Sequence, residues 1–331
     1  MRWFEELVGF EEESPDQVRR QLWVDGKRLV SASNGRSMIW GDFEFPSLAE
    51  LRNRVAGESA DAESNQEGSR EGGVTLREVV GDVQHLHAAP ESAGALFQAA
   101  SQFNALEMVG PGVTPERGVG IYAFDRTQGP ACAIAAGAGT IWRNYFIPLE
   151  GQVGQTEATQ LDGLADLGKA LGNEGGALWQ MQNGYALASE DGLVQIANYL
   201  HAASESEREQ LRGLLRVAVQ WDTEVTLRNA GHLVTQVYAS ALPVAYSHHG
   251  SALWEPFARL VLEAAYEATL AVGVLNGQRT GNRRVFLTQL GGGAFGNVPS
   301  WIDDALDRAI DIARGWNLPN GFLDVVLVRY G

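Results

Sequence analysis

The spacing of hydrophobic residues predicts alternating strands and helices over the C-terminal half of the chain. Segment 285–287, VFL, is a short apolar run typical of a buried strand, and apolar residues recur at helical spacing over 301–312. A long amphipathic helix is predicted over 255–275, and a closing buried strand over 322–330. This alternation favours a mixed or parallel sheet covered on both faces, so we expect a three-layer α/β/α sandwich.

The first 55 residues show a different pattern. Two strand-like runs, at 26–33 and 37–45, flank Asn34-Gly35, which is a hairpin signal, and 47–55 is predicted to be a helix. We therefore treat residues 1–55 as a small α+β extension. Residues 56–73 are rich in Glu, Ser and Gly and are interpreted as a linker.

The remaining residues, 74–331, are expected to form the main domain. They open with a strand and a turn at Gly81-Asp82. Segment 93–100, AGALFQAA, fits either a helix or a buried strand, and 151–215 is interpreted as a helical insertion. Two strands are predicted around Asn229-Ala230-Gly231.

Composition narrows the classes of function. The chain has 331 residues with 45% hydrophobic content, which is ample for a sizeable core. Its net charge of −16 argues against sequence-independent binding to nucleic acid. The absence of an apolar run of ~20 residues argues against a membrane-spanning protein. One cysteine, Cys132, excludes an intrachain disulfide. We expect a cytoplasmic location, with leaderless secretion as an effector left open.

A glycine loop follows the strand at 285–287. Gly291, Gly292 and Gly293 allow positive φ and close approach of backbone N–H groups to a ligand, and Pro299 suits the first turn of a helix. Free amides beside a helix N-terminus favour an anionic group. The loop is therefore predicted to be a phosphate cradle, although glycine loops after strands are more often plain turns.

Four motifs, taken in order, resemble those of the macrodomain superfamily, whose fold binds ADP-ribose. They are VTLREVVGDVQHL (74–86), LFQAASQFNAL (96–106), HLVTQVYASALP (232–243) and FLTQLGGGAFGN (286–297). The chain looks closer to the poly(ADP-ribose) glycohydrolase-like branch, and within it to arginine-specific mono-ADP-ribosyl hydrolases of bacterial effector type. The loop ending in YAFDRTQGP is the feature behind that choice. Two features depart from the family: Gln98-Ala99-Ala100-Ser101 stands where many macrodomains carry Asn-Ala-Ala-Asn, and the adjacent Glu-Glu pair of the glycohydrolases is absent.

The resemblance implies a set of ADP-ribose contacts. Asp82, with Val83 beside it, would receive the adenine amino group, and Asn104 would meet the distal ribose or orient water. Thr127 and Gln128, in the turn after Asp125, are assigned to substrate binding. The pyrophosphate would be wrapped by the second loop, which comprises Gly291, Gly292, Gly293, Ala294, Phe295, Gly296 and Asn297. Ordinary structural roles, such as a helix N-cap for Asp82, remain open.

Asp125 is the residue chosen for chemistry, with Glu107 and Glu116 as possible members of an acidic pocket. A carboxylate near the anomeric carbon can steady developing positive charge and deprotonate water, and can hold a guanidinium in a bidentate pair. Like charges in one pocket can raise the pKa of one member. Solvated loop glutamates are the alternative for Glu107 and Glu116.

The leading hypothesis is a hydrolase that removes mono-ADP-ribose from protein side chains, with arginine preferred. It needs no metal and no cofactor, and its partners are ADP-ribose and the ADP-ribosylated protein, with no nucleic acid and no membrane. A reader module that binds ADP-ribose without cleaving it is the alternative. Both hypotheses require Gly292 and Asp125 to face one cavity.

Overall fold

The computed structural model describes residues 3–62, 73–319 and 321–329, with the side chains of 58–62 excepted. The helices are α1 (Trp3–Val8), α2 (Pro15–Gln21), α3 (Leu48–Ala62), α4 (Val83–Ala88), α5 (Gln128–Ala135), α6 (Gly137–Tyr145), α7 (Ala165–Leu171), α8 (Glu190–Ala202), α9 (Glu205–Gly213), α10 (Ser251–Thr280) and α11 (Pro299–Gly315). The strands are β1 (Leu22–Asp25), β2 (Arg28–Ser31), β3 (Ser37–Ile39), β4 (Asp42–Glu44), β5 (Val74–Val80), β6 (Leu96–Ala100), β7 (Pro148–Leu149), β8 (Gln152–Val153), β9 (Trp179–Gln182), β10 (Tyr185–Ala188), β11 (Ala218–Glu224), β12 (Leu233–Ala239), β13 (Arg284–Thr288) and β14 (Leu323–Arg329).

Seven of these strands form the main sheet, in the order β4-β11-β12-β6-β13-β14-β5. The five strands from β12 to β5 run parallel, whereas β11 is antiparallel to both of its neighbours. The sheet is therefore mixed, as predicted. The carboxyl ends of the five parallel strands lie at one edge of the sheet, which is where ligands bind in folds of this kind.

Helices cover both faces of the sheet. Side chains alternate along each strand, so Val285 and Leu287 pack in the core cluster that contains α10, whereas Phe286 packs in the cluster that contains Val83 and Cys132 from α4 and α5. The predicted α/β/α sandwich is confirmed. The apolar segment 93–100, ambiguous in the sequence, contains strand β6, which pairs with both β12 and β13.

The N-terminal segment is continuous with the main sheet. The β2 and β3 strands flank the Asn34-Gly35 turn as predicted, and β4 pairs with β11 at the sheet edge. Leu7 and Val18 share an apolar cluster with Val119 and Ile141, which lie in the main body of the chain. Helix α3 runs to Ala62, past the predicted boundary at residue 55, and residues 63–72 of the predicted linker lie outside the described residues.

The segment predicted as a helical insertion, 151–215, contains α7, α8 and α9 and also the antiparallel hairpin β9-β10. Trp179 of this hairpin packs against Phe257 of α10, with ring centroids 5.1 Å apart. The hairpin thus joins the insertion to the central helix. In the described part of the chain, no helix combines the length and apolar character needed to cross a membrane.

Candidate functional site

A cavity of about 510 Å³ opens at the carboxyl edge of the sheet. Each of four parallel strands contributes to its lining: Ser101 follows β6, Ala241 follows β12, loop 289–295 follows β13, and Arg329 ends β14. Asp125 completes the lining from the loop before α5. The cavity therefore lies where the polar ends of neighbouring strands converge.

The glycine loop between β13 and α11 has a fixed backbone conformation. Gly291 has φ +74° and Gly296 has φ +70°, backbone angles that residues other than glycine rarely adopt. The loop is closed by hydrogen bonds from Gly292 N to Gln289 O (3.0 Å) and from Gly296 N to Gly293 O (3.0 Å). Helix α11 then begins at Pro299, as the sequence predicts.

Three consecutive amides of the loop are available to a ligand. Within the described chain, the backbone N–H groups of Gly293, Ala294 and Phe295 donate to no protein acceptor, and all three residues line the cavity. A Cβ added at Gly293 would meet no atom within 4 Å. The loop thus supplies three consecutive backbone donors without protein acceptors to the cavity lining, and runs of backbone N–H groups of this kind can bind phosphate oxygens.

Two predicted members of the loop lie behind it. Gly296 and Asn297 are not part of the cavity lining. Asn297 is buried, and its Nδ2 donates to Leu242 O at 2.8 Å, which ties the loop to the segment after β12. These two residues support the loop from the protein side, whereas Gly291, Gly292, Gly293, Ala294 and Phe295 form its cavity face.

Asp125 lies at the end of a short 3-10 helix, Gly120–Phe124. Its Oδ1 accepts a hydrogen bond from Thr127 N at 2.8 Å, which fixes the carboxylate at the start of α5. Asp125 and Gly292 line the same cavity, so the expectation that the two share one cleft is confirmed.

Glu107 is a buried carboxyl group that lines the same cavity. Its Oε1 has no hydrogen-bond partner among the described residues, and its backbone N–H donates to the hydroxyl of Tyr122 at 2.9 Å. Burial raises the pKa of Glu107 well above its usual value, Arg143 opposes that rise, and the charge of Asp125 adds to it. The cavity therefore contains a buried carboxyl group whose surroundings favour its protonated form, together with the more exposed side chain of Asp125.

Thr127 and Gln128 also line the cavity. The Gln128 side chain bonds to the backbone of β6, accepting from Ala100 N at 2.9 Å and donating to Gln98 O at 2.7 Å. The next residue, Gly129, packs so closely that a Cβ there would collide with Ala100 O. Helix α5 is thus held against the end of β6, with its first turn at the cavity wall.

Glu116 and Asn104 are not brought to the cavity lining. Glu116 is exposed and accepts a hydrogen bond from Glu157 N at 2.9 Å, which ties its loop to the 151–215 insertion. Asn104 is fully buried; its Oδ1 accepts from Leu106 N at 3.0 Å and its Nδ2 donates to Gln160 at 2.8 Å. Both side chains have structural partners that hold them away from the cavity.

Asp82 and Val83 lie at the start of α4. The Asp82 side chain caps that helix by accepting from Gln84 N at 2.8 Å, and Val83 is buried in the core. Asp82 lines a second cavity, of about 590 Å³, and Asp125 lines both cavities. Among the described residues, Asp125 is therefore the one that the cavity lined by Asp82 and the cavity lined by the glycine loop have in common.

An aromatic cluster at the cavity was not foreseen from the sequence. The rings of Tyr185, Tyr246 and Phe295 lie with centroids 5.2 to 5.7 Å apart, and all three residues line the cavity. Tyr185 comes from the hairpin of the insertion, and its hydroxyl donates to Met108 O at 2.7 Å. Its only signal in the sequence was an aromatic residue directly after the turn-forming pair Asn183-Gly184.

The fold and cavity define a three-layer α/β protein with a cleft of small-molecule size at the carboxyl edge of its parallel strands. No protein-family model matches the chain, and no curated protein matches it significantly. The solved structures that it resembles include poly(ADP-ribose) glycohydrolase from Thermomonospora curvata, with 12% identity, coverage of 95% of this chain and 89% of that chain, and a TM-score of 0.43. The Deinococcus radiodurans enzyme in complex with ADP-ribose gives 11% identity, 87% and 86% coverage, and a TM-score of 0.42. These values are too low to assign an activity.

Proposed function

We propose that this protein is a hydrolase that removes mono-ADP-ribose from protein side chains, with arginine as the preferred acceptor. The observation that carries the proposal is that Asp125, Glu107 and the free amides of the glycine loop line one cavity. Its volume of about 510 Å³ is in the range of small-molecule sites. The macrodomain-like order of the four sequence motifs supports ADP-ribose as the ligand.

The glycine loop would bind the pyrophosphate. The amides of Gly293, Ala294 and Phe295 are consecutive, have no protein acceptor among the described residues and belong to residues that line the cavity, and oriented backbone N–H groups stabilise phosphate charge without a counter-ion. The Phe295 ring lies with Tyr185 and Tyr246 beside this loop and offers an aromatic face for a ribose or for adenine. Binding would thus use backbone donors for charge and aromatic rings for apolar area.

Asp125 would act at the glycosidic bond. When the bond between the anomeric carbon and the guanidine nitrogen breaks, positive charge develops on the ribose, and a nearby carboxylate stabilises that charge. Water then adds to the anomeric carbon, Asp125 accepts the proton that water loses, and the proton finally resides on the released guanidine. Free ADP-ribose and an unmodified arginine are the products.

Glu107 would contact the ligand or the attacking water in its neutral form. Because burial raises its pKa, the carboxyl group carries a proton and can donate a hydrogen bond to a ribose hydroxyl or to the attacking water. One neutral and one charged carboxyl group in the same cavity are a recurrent arrangement in enzymes that break glycosidic bonds. The unpartnered Oε1 of Glu107 supports a ligand contact at this position.

Two observations support a modified protein, with arginine as its acceptor. Asp125 is only partly buried, so its carboxylate can meet a guanidinium at the cavity mouth, where a bidentate pair is favourable. The neighbouring side chain, Phe124, is 85% exposed and offers an apolar contact for a polypeptide directly beside Asp125.

The test compares wild type with Asp125→Asn on arginine-, serine- and glutamate-linked ADP-ribose. We expect the wild type to release ADP-ribose from arginine and the variant to lose about 10²- to 10⁴-fold in rate, as for removal of a general base. Asparagine keeps the acceptor for Thr127 N, so ADP-ribose affinity by calorimetry should be retained.

Glu150→Gln, at an exposed turn position outside the cavity, is the matched control for loss of one negative charge and should keep wild-type activity. If the wild type binds ADP-ribose but releases none from any linkage, the protein is a reader and the hydrolase proposal is wrong.

A further inference from the structure

The side chain of Glu12, between α1 and α2, is embedded in the main body of the protein. Its Oε1 accepts hydrogen bonds from Val119 N (3.0 Å) and from the hydroxyl of Tyr145 (2.6 Å), and its Oε2 accepts from Gly120 N (2.6 Å). One carboxylate from the N-terminal segment therefore binds both the 119–120 backbone and helix α6.

The two backbone donors begin the 3-10 helix Gly120–Phe124. Val119 is its N-cap and Gly120 its first residue, so their N–H groups have no acceptor within that helix. Burial raises the pKa of Glu12, and the hydrogen bonds from Tyr145, Gly120 and Val119 oppose that rise. A Cβ at Gly118 or Gly120 would collide with the Glu12 carboxylate, so the sequence keeps glycine where the two meet.

The other end of the same 3-10 helix holds the candidate chemistry. Asp125 is its C-cap, with its N–H bonded to Tyr122 O at 3.2 Å. Tyr122 also accepts, at its hydroxyl, the hydrogen bond from Glu107 N at 2.9 Å. A five-residue helix thus connects the Glu12 carboxylate to the positions of both cavity carboxyl groups.

Apolar packing on the N-terminal segment supports the same linkage. Phe4 and Phe10 pack with ring centroids 5.5 Å apart, and both share a buried cluster with Val119 and Tyr122. Helix α2 follows Glu12 directly, and Arg19 of that helix donates to Tyr145 O at 3.4 Å. The N-terminal segment therefore contacts the 3-10 helix in two ways: its aromatic residues pack against Val119 and Tyr122, and Glu12 accepts hydrogen bonds at the start of the helix.

We propose that Glu12 is a positioning residue, which fixes the start of helix Gly120–Phe124 so that Asp125 is held at the cavity. In this role the N-terminal segment is part of the active site rather than a separable recognition module. The inference rests on the proposed function in so far as Asp125 acts on the glycosidic bond.

The experiment uses the full chain with Glu12→Ala and Glu12→Gln, and with Glu13→Ala as the matched control. Glu13 is the next residue, carries the same charge, and is exposed. We expect Glu12→Ala to lower kcat by about 10- to 100-fold, because small misplacements of a catalytic group have costs of that order. The KM and the Kd for ADP-ribose should change less than about threefold, since the glycine loop keeps its own bonds.

Amide hydrogen exchange supplies a readout that does not need activity. Loss of the acceptor at Val119 N and Gly120 N should speed exchange over 119–125 in Glu12→Ala and leave it unchanged in Glu13→Ala. Glu12→Gln keeps one acceptor oxygen and should recover part of the lost kcat. This recovery separates positioning from a general loss of stability.

Wild-type kcat and unchanged exchange over 119–125 in Glu12→Ala would overturn the inference. If Glu12→Ala fails to fold, Glu12→Gln decides: reduced kcat with retained ADP-ribose binding supports the role, and full kcat contradicts it. If the wild type has no hydrolase activity, the proposed function fails first, and the exchange of 119–125 alone then decides whether Glu12 fixes the helix that carries Asp125.

Discussion

The hydroxyl oxygen of Tyr122 accepts a 2.9 Å hydrogen bond from the backbone N–H of Glu107. Tyr122 lies in the 3-10 helix that ends at Asp125, so one buried tyrosine relates the positions of the two carboxyl groups that line the cavity. Burial raises the pKa of Tyr122, which favours the protonated hydroxyl while its oxygen accepts this bond. The placement of Glu107 relative to Asp125 therefore depends on this hydrogen bond and on the 3-10 helix that carries Tyr122.

Glu107→Gln should stabilise the protein more at high pH than at low pH. The folded-state pKa of Glu107 is raised by burial, so the folded protein holds a proton that the unfolded chain loses above its ordinary pKa. The wild type therefore loses stability as pH rises from about 4.5, whereas glutamine has no proton to lose.

The measurement is the difference in Tm between Glu107→Gln and wild type from pH 4 to pH 9. The difference should become more positive as pH rises, and Glu150→Gln should show no such trend because its side chain is exposed. A difference that is constant with pH would show that Glu107 is not buried as a neutral acid.

Gly293→Ala should weaken ADP-ribose binding without destabilising the fold. A methyl group at this position meets no protein atom within 4 Å, and Gly293 lines the cavity beside the loop amides that lack protein acceptors. We expect Tm within about 2 °C of wild type, as for an ordinary surface substitution, and Kd raised by about tenfold or more.

Gly315→Ala is the control, because it also meets open space but lies at the end of α11 outside the cavity lining. Unaltered ADP-ribose affinity in Gly293→Ala would mean that phosphate does not approach this part of the loop.

Phe295→Ala should raise the Kd for ADP-ribose through loss of the aromatic cluster. The ring lies 5.3 Å from Tyr185 and 5.7 Å from Tyr246, centroid to centroid, at the cavity wall. Stacking of a base on an aromatic ring contributes about 1 to 3 kcal/mol, so Kd should rise by about 5- to 150-fold in calorimetry. Tyr199→Ala, an exposed aromatic change on α8, should leave Kd unchanged; equal effects of the two would contradict a stacking role for Phe295.

His87→Gln should remove a loss of stability at acid pH. His87 is buried, stacks on Phe97, donates from Nδ1 to Val83 O at 2.8 Å and accepts at Nε2 from Gln236. Burial lowers the pKa of His87 to about 4, so between pH 6.5 and pH 4 the unfolded chain binds a proton that the folded protein excludes.

The contribution of neutral His87 to the free energy of unfolding should therefore have its full value above pH 6.5 and fall by about 3 kcal/mol towards pH 4. Urea unfolding of wild type, His87→Gln and the exposed control His85→Gln across this range measures the difference. The prediction is wrong if the free energy of unfolding still falls towards pH 4 in His87→Gln and no longer does so in His85→Gln, since the effect would then come from His85.

The sequence predicted the glycine loop and the strand before it because both signals are local. Val285, Phe286 and Leu287 form a short apolar run, and the glycines mark a loop whose backbone adopts positive φ at Gly291 and Gly296. The start of α11 at Pro299 followed from the same local chemistry. The assignments of Asp82, Asn104 and Glu116 to the site depended on motif resemblance, and the structure gives these side chains partners away from the cavity lining.

What the sequence alone determined was the α/β class and the strand and loop at the carboxyl edge, since periodicity and turn chemistry act over a few neighbouring residues. The shared cleft of Asp125 and Gly292 was a hypothesis that rested on the family resemblance. Only the tertiary structure decided that Glu107 is buried at the cavity, that Tyr185 of the insertion reaches the cavity, and that Glu12 binds the helix leading to Asp125. Burial, desolvation and hydrogen bonds between distant segments arise when the chain packs, and no local pattern encodes them.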